Sequence, residues 1–586
     1  MAGCWSSSCS CRRGCGAGND VFAYNTRSFG SDTIADFNTN GDRIDLSFLK
    51  VADLGSLQPF MQQDGADVVI TLGYFSNTEI IRLQNVSLAS LSASDFVFNT
   101  STAAITATGT AYRDTMFGGN GNDSLSGADG SDTLVGGNGD DVLRGGDGSD
   151  RFIGGAGVDT VTYYGTNTGV TVNLLAGTGS GGEAQGDTFS GVENVNGSNV
   201  ADTLIGNAGA NRLQGYDGND TLQGGDGNDV LVGGAGADSL NGGAGIDTAS
   251  YYGDTVGVSV DLSTGKGIGG NAQGDVLIGI ENVSGSRGND SLTGNAGANV
   301  LNGYEGNDVL RGGAGADRLD GGAGTDTASY YTGTVGVAVD LSTGKGTGGD
   351  AQGDVLTGIE NVSGSQGNDS LTGNAGANTL QGWNGNDVLR GGAGADRLDG
   401  GVGIDTASYW SESTGVTVDL STGRGTGGNA QGDILVSIEN VNGSRAGDTL
   451  IGNSGANVLN GYEGNDVLRG GAGKDTLAGG IGSDRFVFTA TGDSVVGANA
   501  DRIIDFSHAQ GDRIDLSGID ANTGASGDQA FTFIGNGLFT NHAGELRFAA
   551  NNGQTTIAGD INGDGVSDFH IVLTGAISLQ ASDFVL

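Results

Sequence analysis

Proline occurs once in this 586-residue chain and histidine three times, and all four cysteines, Cys4, Cys9, Cys11 and Cys15, crowd into its first 15 positions. The body of the chain therefore uses no disulfides, and the cysteine spacing, C-x4-C-x-C-x3-C, matches no zinc-site spacing, so the opening residues read as an unstructured tail or a misassigned start. His508, His542 and His570 lie too far apart for the two histidines of HExxH, which must stand four apart on a helix. No GxxxxGK[ST] phosphate loop occurs. Gly265-x-Gly267-x-x-Gly270 matches GxGxxG, but no helix pattern follows it and glycine is too abundant for the match to carry weight. Basic residues are scarce: 25 Lys and Arg against 69 Asp and Glu give a formal charge of -44. Such a chain is repelled by nucleic-acid backbones and anionic membranes, and cations are its natural partners. There is no apolar run of about 20 residues to span a bilayer and no apolar core of a cleaved signal at the start.

Glycine dominates instead, with 118 copies, and it is periodic. From Gly118 the chain reads GGNGNDSLS, GADGSDTLV, GGNGDDVLR, GGDGSDRFI and GGAGVDTVT, five tandem nonapeptides of the form GGxGxDxUx with U apolar. Asp123, Asp132, Asp141, Asp150 and Asp159 hold the sixth place, and Leu125, Leu134, Leu143, Phe152 and Val161 the eighth. Further blocks put Asp220, Asp229, Asp238, Asp308, Asp317, Asp387, Asp396, Asp466 and Asp475 at the sixth place. A fixed register of apolar residues is not a property of disordered acidic chains. A longer period lies above this one: Asp159, Asp247, Asp326 and Asp405 are spaced 88, 79 and 79 residues apart, as are the ENV triplets beginning at Glu193, Glu281, Glu360 and Glu439. The difference of 9 is one nonapeptide, the unit a solenoid can gain or lose. Between blocks, Val258, Val260 and Leu262 alternate with polar residues, and Leu277, Ile280 and Val283 could form another inward row, so these stretches read as wider rungs of the same parallel stack. The pairs Tyr163-Tyr164, Tyr251-Tyr252, Tyr330-Tyr331 and Tyr409-Trp410 recur with the long period, either as rung packing or as exposed rings that stack on sugars.

Two segments near the ends match one another. GDRIDLS occurs at 41–47 and 511–517, and ASDFV at 93–97 and 581–585. The expected organisation is an irregular start (1–18), a cap-like module (19–100), a linker (101–113), the repeat array (114–484) and a β-rich C-terminal cap (485–586). The module at 19–100 reads as the end of an earlier array, which would make the chain the distal part of a longer precursor.

The nonapeptide supplies what a hard divalent cation requires, six to eight oxygens from carboxylates and backbone carbonyls. Glycines turn carbonyls inward at φ values costly to other residues, and the aspartate completes the shell. Ordering nine residues costs about 1–2 kcal/mol each, whereas burying one Leu or Val contributes about 1.5–3 kcal/mol. Burial alone does not suffice, and stacked carboxylates repel, so cation binding and folding are expected to be coupled.

These tandem blocks resemble the RTX (repeats-in-toxin) proteins, over roughly residues 114–586. The resemblance implies an all-β fold, a parallel β-roll or β-helix solenoid with Ca2+ in the loops between turns, ligated by the fourteen sixth-place aspartates named above. It also implies bacterial export by type I secretion machinery that reads an uncleaved C-terminal signal. Asn211, Asn299, Asn378 and Asn457 stand where aspartate is expected and weaken the sites there. Residues 485–586 resemble the C-terminal domain of serralysin-type secreted metalloproteases through DRIDLSGIDANTG, AGELRF and GDINGDGVSDF. In the last segment Asp560, Asn562, Asp564 and Asp568 form DxNxDGxxD, which reads as one more calcium loop or as an Asx-rich turn, with Ile571 where an EF-hand has glutamate. The expected protein is secreted, calcium-binding and non-catalytic. The rivals are a surface adhesin or matrix protein that binds cell-surface glycans, and the C-terminal part of a secreted enzyme, proteolytic or carbohydrate-modifying, whose catalytic domain is absent.

Overall fold

In each nonapeptide the xUx segment is extended and its apolar residue points to one face, which leaves a strand too short to stand alone. The chain solves this by winding. In the computed structural model, which describes residues 18–73 and 79–586, successive turns stack in register 18 residues apart: Ser124–Asp129 pairs in parallel with Val142–Asp147, and Thr133–Asn138 with Arg151–Ala156. Two nonapeptides thus make one turn, alternate nonapeptides feed two parallel sheets, and the eighth-place residues Leu125, Leu134, Leu143, Phe152 and Val161 are buried between them. The expected all-β parallel roll is what the chain forms. Among the described residues the one α-helix is the single turn Leu54–Leu57. The four cysteines lie outside the described residues, as does the irregular start apart from Gly18.

The chain divides into two compact units, Met1–Ser291 and Leu292–Leu586. In the first, residues 18–100 form a small three-stranded parallel sheet (Val21–Ala23, Arg43–Asp45, Phe96–Val97) and a four-stranded mixed sheet. Their apolar core, with Ile44, Leu57, Ile70 and Ile81, continues into Phe117, Val135 and Ile153 of the first roll turns. The module therefore packs against the flank of the array. The stretch 101–113, expected as a linker, contains the strand Thr106–Thr108, which pairs in parallel with Ser124–Ser126 and is the outermost rung. The reason is a degenerate repeat: Ile105 stands 18 residues before Asp123, and its N–H donates to Asp123 Oδ1 at 2.7 Å, as in the regular blocks.

The long-period inserts differ from the wider parallel rungs expected of them. The parallel ladder does continue, with Arg151–Ile153 against Thr188–Ser190 and Thr171–Asn173 against Thr203–Ile205. Between them, however, Thr178–Ser180 runs antiparallel to both Thr171–Asn173 and Thr188–Ser190. Gly177, at φ +67°, turns the chain there, where a Cβ would meet the Phe189 carbonyl at 2.9 Å. Leu277, Ile280 and Val283 are buried as the expected inward row.

The second unit repeats this plan and ends in a different structure. Its last parallel rungs, Asp501–Ile503 and Arg513–Asp515, pair with Phe569–Thr574 and with the C-terminal strand Phe584–Val585, and an antiparallel meander, Glu545–Asn551, Gln554–Asp560 and Phe569–Thr574, completes it. The matched end segments carry matched bonds. Asp42 Oδ1 accepts the Asp20 N–H at 2.9 Å and Asp512 Oδ1 the Asp484 N–H at 3.1 Å, while Asp95 and Asp583 close equivalent capping boxes.

Candidate metal centres

All fourteen sixth-place aspartates of the array are at most 2 % exposed. Each is placed by the same local rule, because the glycine-rich loop turns the chain and the following strand aims the carboxylate back under it. The rule depends on glycine at Gly146, for example, which has φ +101° and would bring a Cβ to 1.7 Å from the Ala128 carbonyl of the turn below. One carboxylate oxygen is then committed to the backbone of the preceding turn. Asp141 Oδ1 accepts the Asp123 N–H at 2.7 Å, Asp150 Oδ1 that of Asp132 at 2.7 Å and Asp159 Oδ1 that of Asp141 at 2.9 Å. The same ladder joins Asp202, Asp220 and Asp238, and joins Asn211 to Asp229, in the first unit. In the second it joins Asn299 to Asp317, Asn378 to Asp396, Asp448 to Asp466 and Asn457 to Asp475; Asp308 and Asp387 donate in the same way to Asp326 and Asp405.

The other oxygen has no such partner. The buried Oδ2 atoms of Asp123, Asp132, Asp141, Asp150, Asp159, Asp220, Asp229 and Asp238 accept no hydrogen bond, and neither do those of Asp317, Asp387, Asp396, Asp466 and Asp475. A buried polar atom without a partner costs about 1–3 kcal/mol and a buried charge more, so a row of such oxygens is chemically suited to a cation. Backbone oxygens lie close by. Asp141 Oδ2 and the Gly154 carbonyl are 2.1 and 2.7 Å from the point where a Cβ of residue 136 would stand, and Asp220 Oδ2 and the Gly233 carbonyl are 2.0 and 2.6 Å from the same point at residue 215. The space left by the missing Cβ is thus lined by oxygen. Among the described residues no three His, Cys, Asp or Glu side chains converge on one point, so each centre would combine carboxylate with carbonyl oxygen, a donor set that suits Ca2+ and not a soft metal.

Electrostatics agree. Desolvation, with neighbouring carboxylates adding to it, pushes Asp150, Asp159, Asp220, Asp238, Asp387 and Asp466 up to about 7, and Asp132, Asp141, Asp229, Asp317, Asp396 and Asp475 up to about 6. The metal-free fold resists holding these groups as anions, and a divalent cation removes that resistance.

The structure adds aspartates that the sequence reading left out. Asp247, Asp326, Asp405, Asp484 and Asp501 are buried with an unpartnered Oδ2 as well. The first four occupy the sixth place of GGAGID, GGAGTD, GGVGID and GGIGSD, so their signal was present; Asp501, in ANADRI, had none. At the asparagine positions the side chain bonds within its own loop. Asn211 Oδ1 accepts the Asn207 N–H at 2.7 Å while its Nδ2 donates to the Glu193 carbonyl at 2.7 Å, and Asn378 and Asn457 repeat this. The C-terminal loop has a different geometry. Asp560 accepts the N–H groups of Gly563 and Gly565, Asp568 Oδ2 accepts that of Ile561 at 2.7 Å, Asn562 Nδ2 donates to Asp568 Oδ1 at 3.0 Å, and Asp564 Oδ1 accepts the Val566 N–H at 2.8 Å. Its oxygens are engaged by the loop itself, in an Asx-turn arrangement.

Comparison with known proteins follows the same blocks. The model of the RTX calcium-binding nonapeptide repeat (4 copies) matches in nine overlapping segments spanning 106–161, 196–249, 277–328, 355–407 and 442–486. A metallopeptidase, AprA of Pseudomonas marginalis, is 51 % identical over 147 residues, which are 25 % of this chain and 29 % of the relative's length. Among solved structures, the R3 subunit of the Azotobacter vinelandii mannuronan C5-epimerase AlgE6 is 33 % identical, covering 25 % of this chain and 77 % of that one at a TM-score of 0.20. The R2 subunit of that enzyme is 25 % identical, covering 31 % and 92 % at a TM-score of 0.18. Over the five matched stretches this chain carries RTX calcium-binding nonapeptide repeats, and it is a calcium-binding protein.

Proposed function

We propose that the chain is a secreted bacterial β-roll whose folding is switched on by calcium outside the cell, and that it performs no catalysis itself. The observation that carries this reading is the row of buried, unpartnered Oδ2 atoms at the sixth-place aspartates. Without a cation each adds to the cost of folding, so a cytoplasm poor in free calcium keeps the chain extended and exportable, and a calcium-rich exterior selects the wound state. The aspartates named in each block are the proposed ligands, with neighbouring glycine carbonyls. Asp560, Asn562, Asp564 and Asp568 are a further proposed site, which would require the loop amides to release their carboxylates. Export by type I machinery is assigned to the C-terminal part, where Phe584–Val585 ends the stack. Calorimetric calcium titration followed by circular dichroism tests the reading. Binding should bring a large rise in β-content, and equal β-content in chelator and in millimolar calcium would overturn it. Removal of the last hundred or so residues should impair both export and folding.

A second reading, adhesion to glycans at a cell surface, has one observation in its favour. In each recurring aromatic pair the first ring is buried and the second is exposed: Tyr164 lies against Tyr216 and Tyr331 against Trp383, both at 4.4 Å between ring centroids. Tyr216 and Trp383 hold φ of +76° at places where the repeat has its second glycine, a conformation costing about 1–2 kcal/mol that an aromatic pair worth about 0.5–1.5 kcal/mol offsets only in part. Retardation of the calcium-loaded chain in gels containing a neutral polysaccharide, lost in Trp383→Ala, supports this reading; unretarded migration removes it.

A further inference from the structure

The inserts contain buried aspartates in the same ladder as the nonapeptides, yet their second oxygens are not bare. Asp187 Oδ1 accepts the Asp150 N–H at 2.7 Å, as any sixth-place aspartate would, while its Oδ2 accepts the Tyr163 hydroxyl at 2.7 Å. The arrangement recurs at Asp275 with Tyr251 (2.9 Å), Asp354 with Tyr330 (3.0 Å) and Asp433 with Tyr409 (2.9 Å). All four tyrosines and all four aspartates are buried. The next aspartate along is also served from within the protein: Asp202 takes the Ser198 N–H on Oδ2 at 2.6 Å and the Ser198 hydroxyl on Oδ1 at 2.8 Å, and Ser286, Ser365 and Ser444 treat Asp290, Asp369 and Asp448 alike. Asn211, Asn378 and Asn457 follow, neutral residues whose amides donate to the backbone carbonyls of Glu193, Glu360 and Glu439.

We propose that the hydroxyls of Tyr163, Tyr251, Tyr330 and Tyr409 stand where a cation stands in the nonapeptide blocks, so that Asp187, Asp275, Asp354 and Asp433 take no calcium and the metal row is broken once in every long repeat. This rests on the calcium-folding reading above. The positive end of a phenolic O–H dipole and a calcium ion satisfy the same buried carboxylate oxygen, and with the hydroxyl already at hydrogen-bond distance there is no lone oxygen left to demand a metal. Each long repeat then consists of a cation-dependent block and a cassette whose acidic groups are neutralised by hydroxyls and amides. The second Tyr or Trp of each pair is exposed at the surface.

Crystals of the full chain grown in calcium and measured at a wavelength sensitive to anomalous scattering from that ion decide the matter. Peaks are expected beside Asp220, Asp229, Asp387 and Asp396, and none beside Asp187, Asp275, Asp354 or Asp433. A peak within coordination distance of any of those four overturns the proposal, whereas absence of peaks throughout the array would overturn the calcium reading itself and this inference with it. In solution, Asp354→Asn should bind as many calcium ions as the parent while Asp387→Asn binds at least one fewer. Loss of an ion from Asp354→Asn would count against the proposal.

Discussion

Stripping calcium from the chain at pH 8 and then lowering the pH to 5 should restore part of its β-structure, because protons can relieve the same carboxylates that the cation relieves. In the block containing Asp220, Asp229 and Asp238, desolvation first, and neighbouring carboxylates such as Asp275 and Asp247 second, push the three groups up to about 7, about 6 and about 7 from 3.8. A carboxyl whose folded value exceeds its unfolded one binds protons more tightly in the fold. Its contribution to stability is therefore full below the unfolded value and is lost as the pH rises through about 6 to 7. At about 1.4 kcal/mol per unit, a group held near 7 gains at most about 2.7 kcal/mol between pH 8 and pH 5 and one held near 6 about 1.4 kcal/mol, so the three together gain at most about 7 kcal/mol. Solvent screening in the loops reduces this to about 2 kcal/mol for the block, still a sizeable part of the 5–15 kcal/mol typical of a domain. Geometry gives the proton a place: protonated Asp220 Oδ2 can donate toward the Gly233 carbonyl, since both line the gap at Gly215. Far-UV circular dichroism of the metal-free chain against pH reads the effect directly, with a calcium-loaded sample as the reference for full structure. The calcium-loaded chain should show little change over the same range above pH 6, because the cation already compensates the charge. If the metal-free chain is equally unstructured at pH 8 and pH 5, or loses structure on acidification, the account of the buried carboxylates is wrong.

Asp220→Asn should change sign with calcium: more β-structure than the parent in chelator at pH 8, because a costly buried anion is gone, but a higher calcium midpoint and at least one ion fewer when loaded, as read by titration with dichroism. Leu231→Ala empties a position fully buried between the sheets, and the loaded protein should lose about 2–5 kcal/mol in denaturant unfolding. Gly146→Ala forces a Cβ to 1.7 Å from the Ala128 carbonyl at φ +101° and should destabilise the first block by well over the roughly 1–2 kcal/mol of the backbone strain alone. Gly253→Ala, where nothing lies within 4 Å, should be close to neutral, and hydrogen exchange resolved by segment would separate the two.

The winding of the roll is legible in the sequence because it is a local property: nine residues specify a turn, a carboxylate and one inward side chain, and stacking neighbours need only repeat them. What a local pattern cannot carry is the identity of the group that meets a carboxylate's second oxygen. Asp150 and Asp187 are consecutive members of one ladder, joined by the Asp150 N–H to Asp187 Oδ1, but they stand 37 residues apart, and the hydroxyl that satisfies Asp187 comes from Tyr163, 24 residues before it. The antiparallel strand Thr178–Ser180 is hidden for a similar reason, since its partners are fixed by the stacking of the turns before and after it and not by its own Thr-Gly-Ser. The loop Asp560–Asp568 shows the limit from the other side. An Asx turn and a calcium loop both place short acidic side chains over inward-facing backbone, so DxNxDGxxD is compatible with either, and only the occupancy of the carboxylate oxygens by amides separates them. On the proposed reading, buried aspartates whose Oδ2 meets no donor call for a cation and those that meet a phenol or a serine do not, and the phenol that makes the difference at Asp187 stands 24 residues away, out of reach of any nonapeptide pattern.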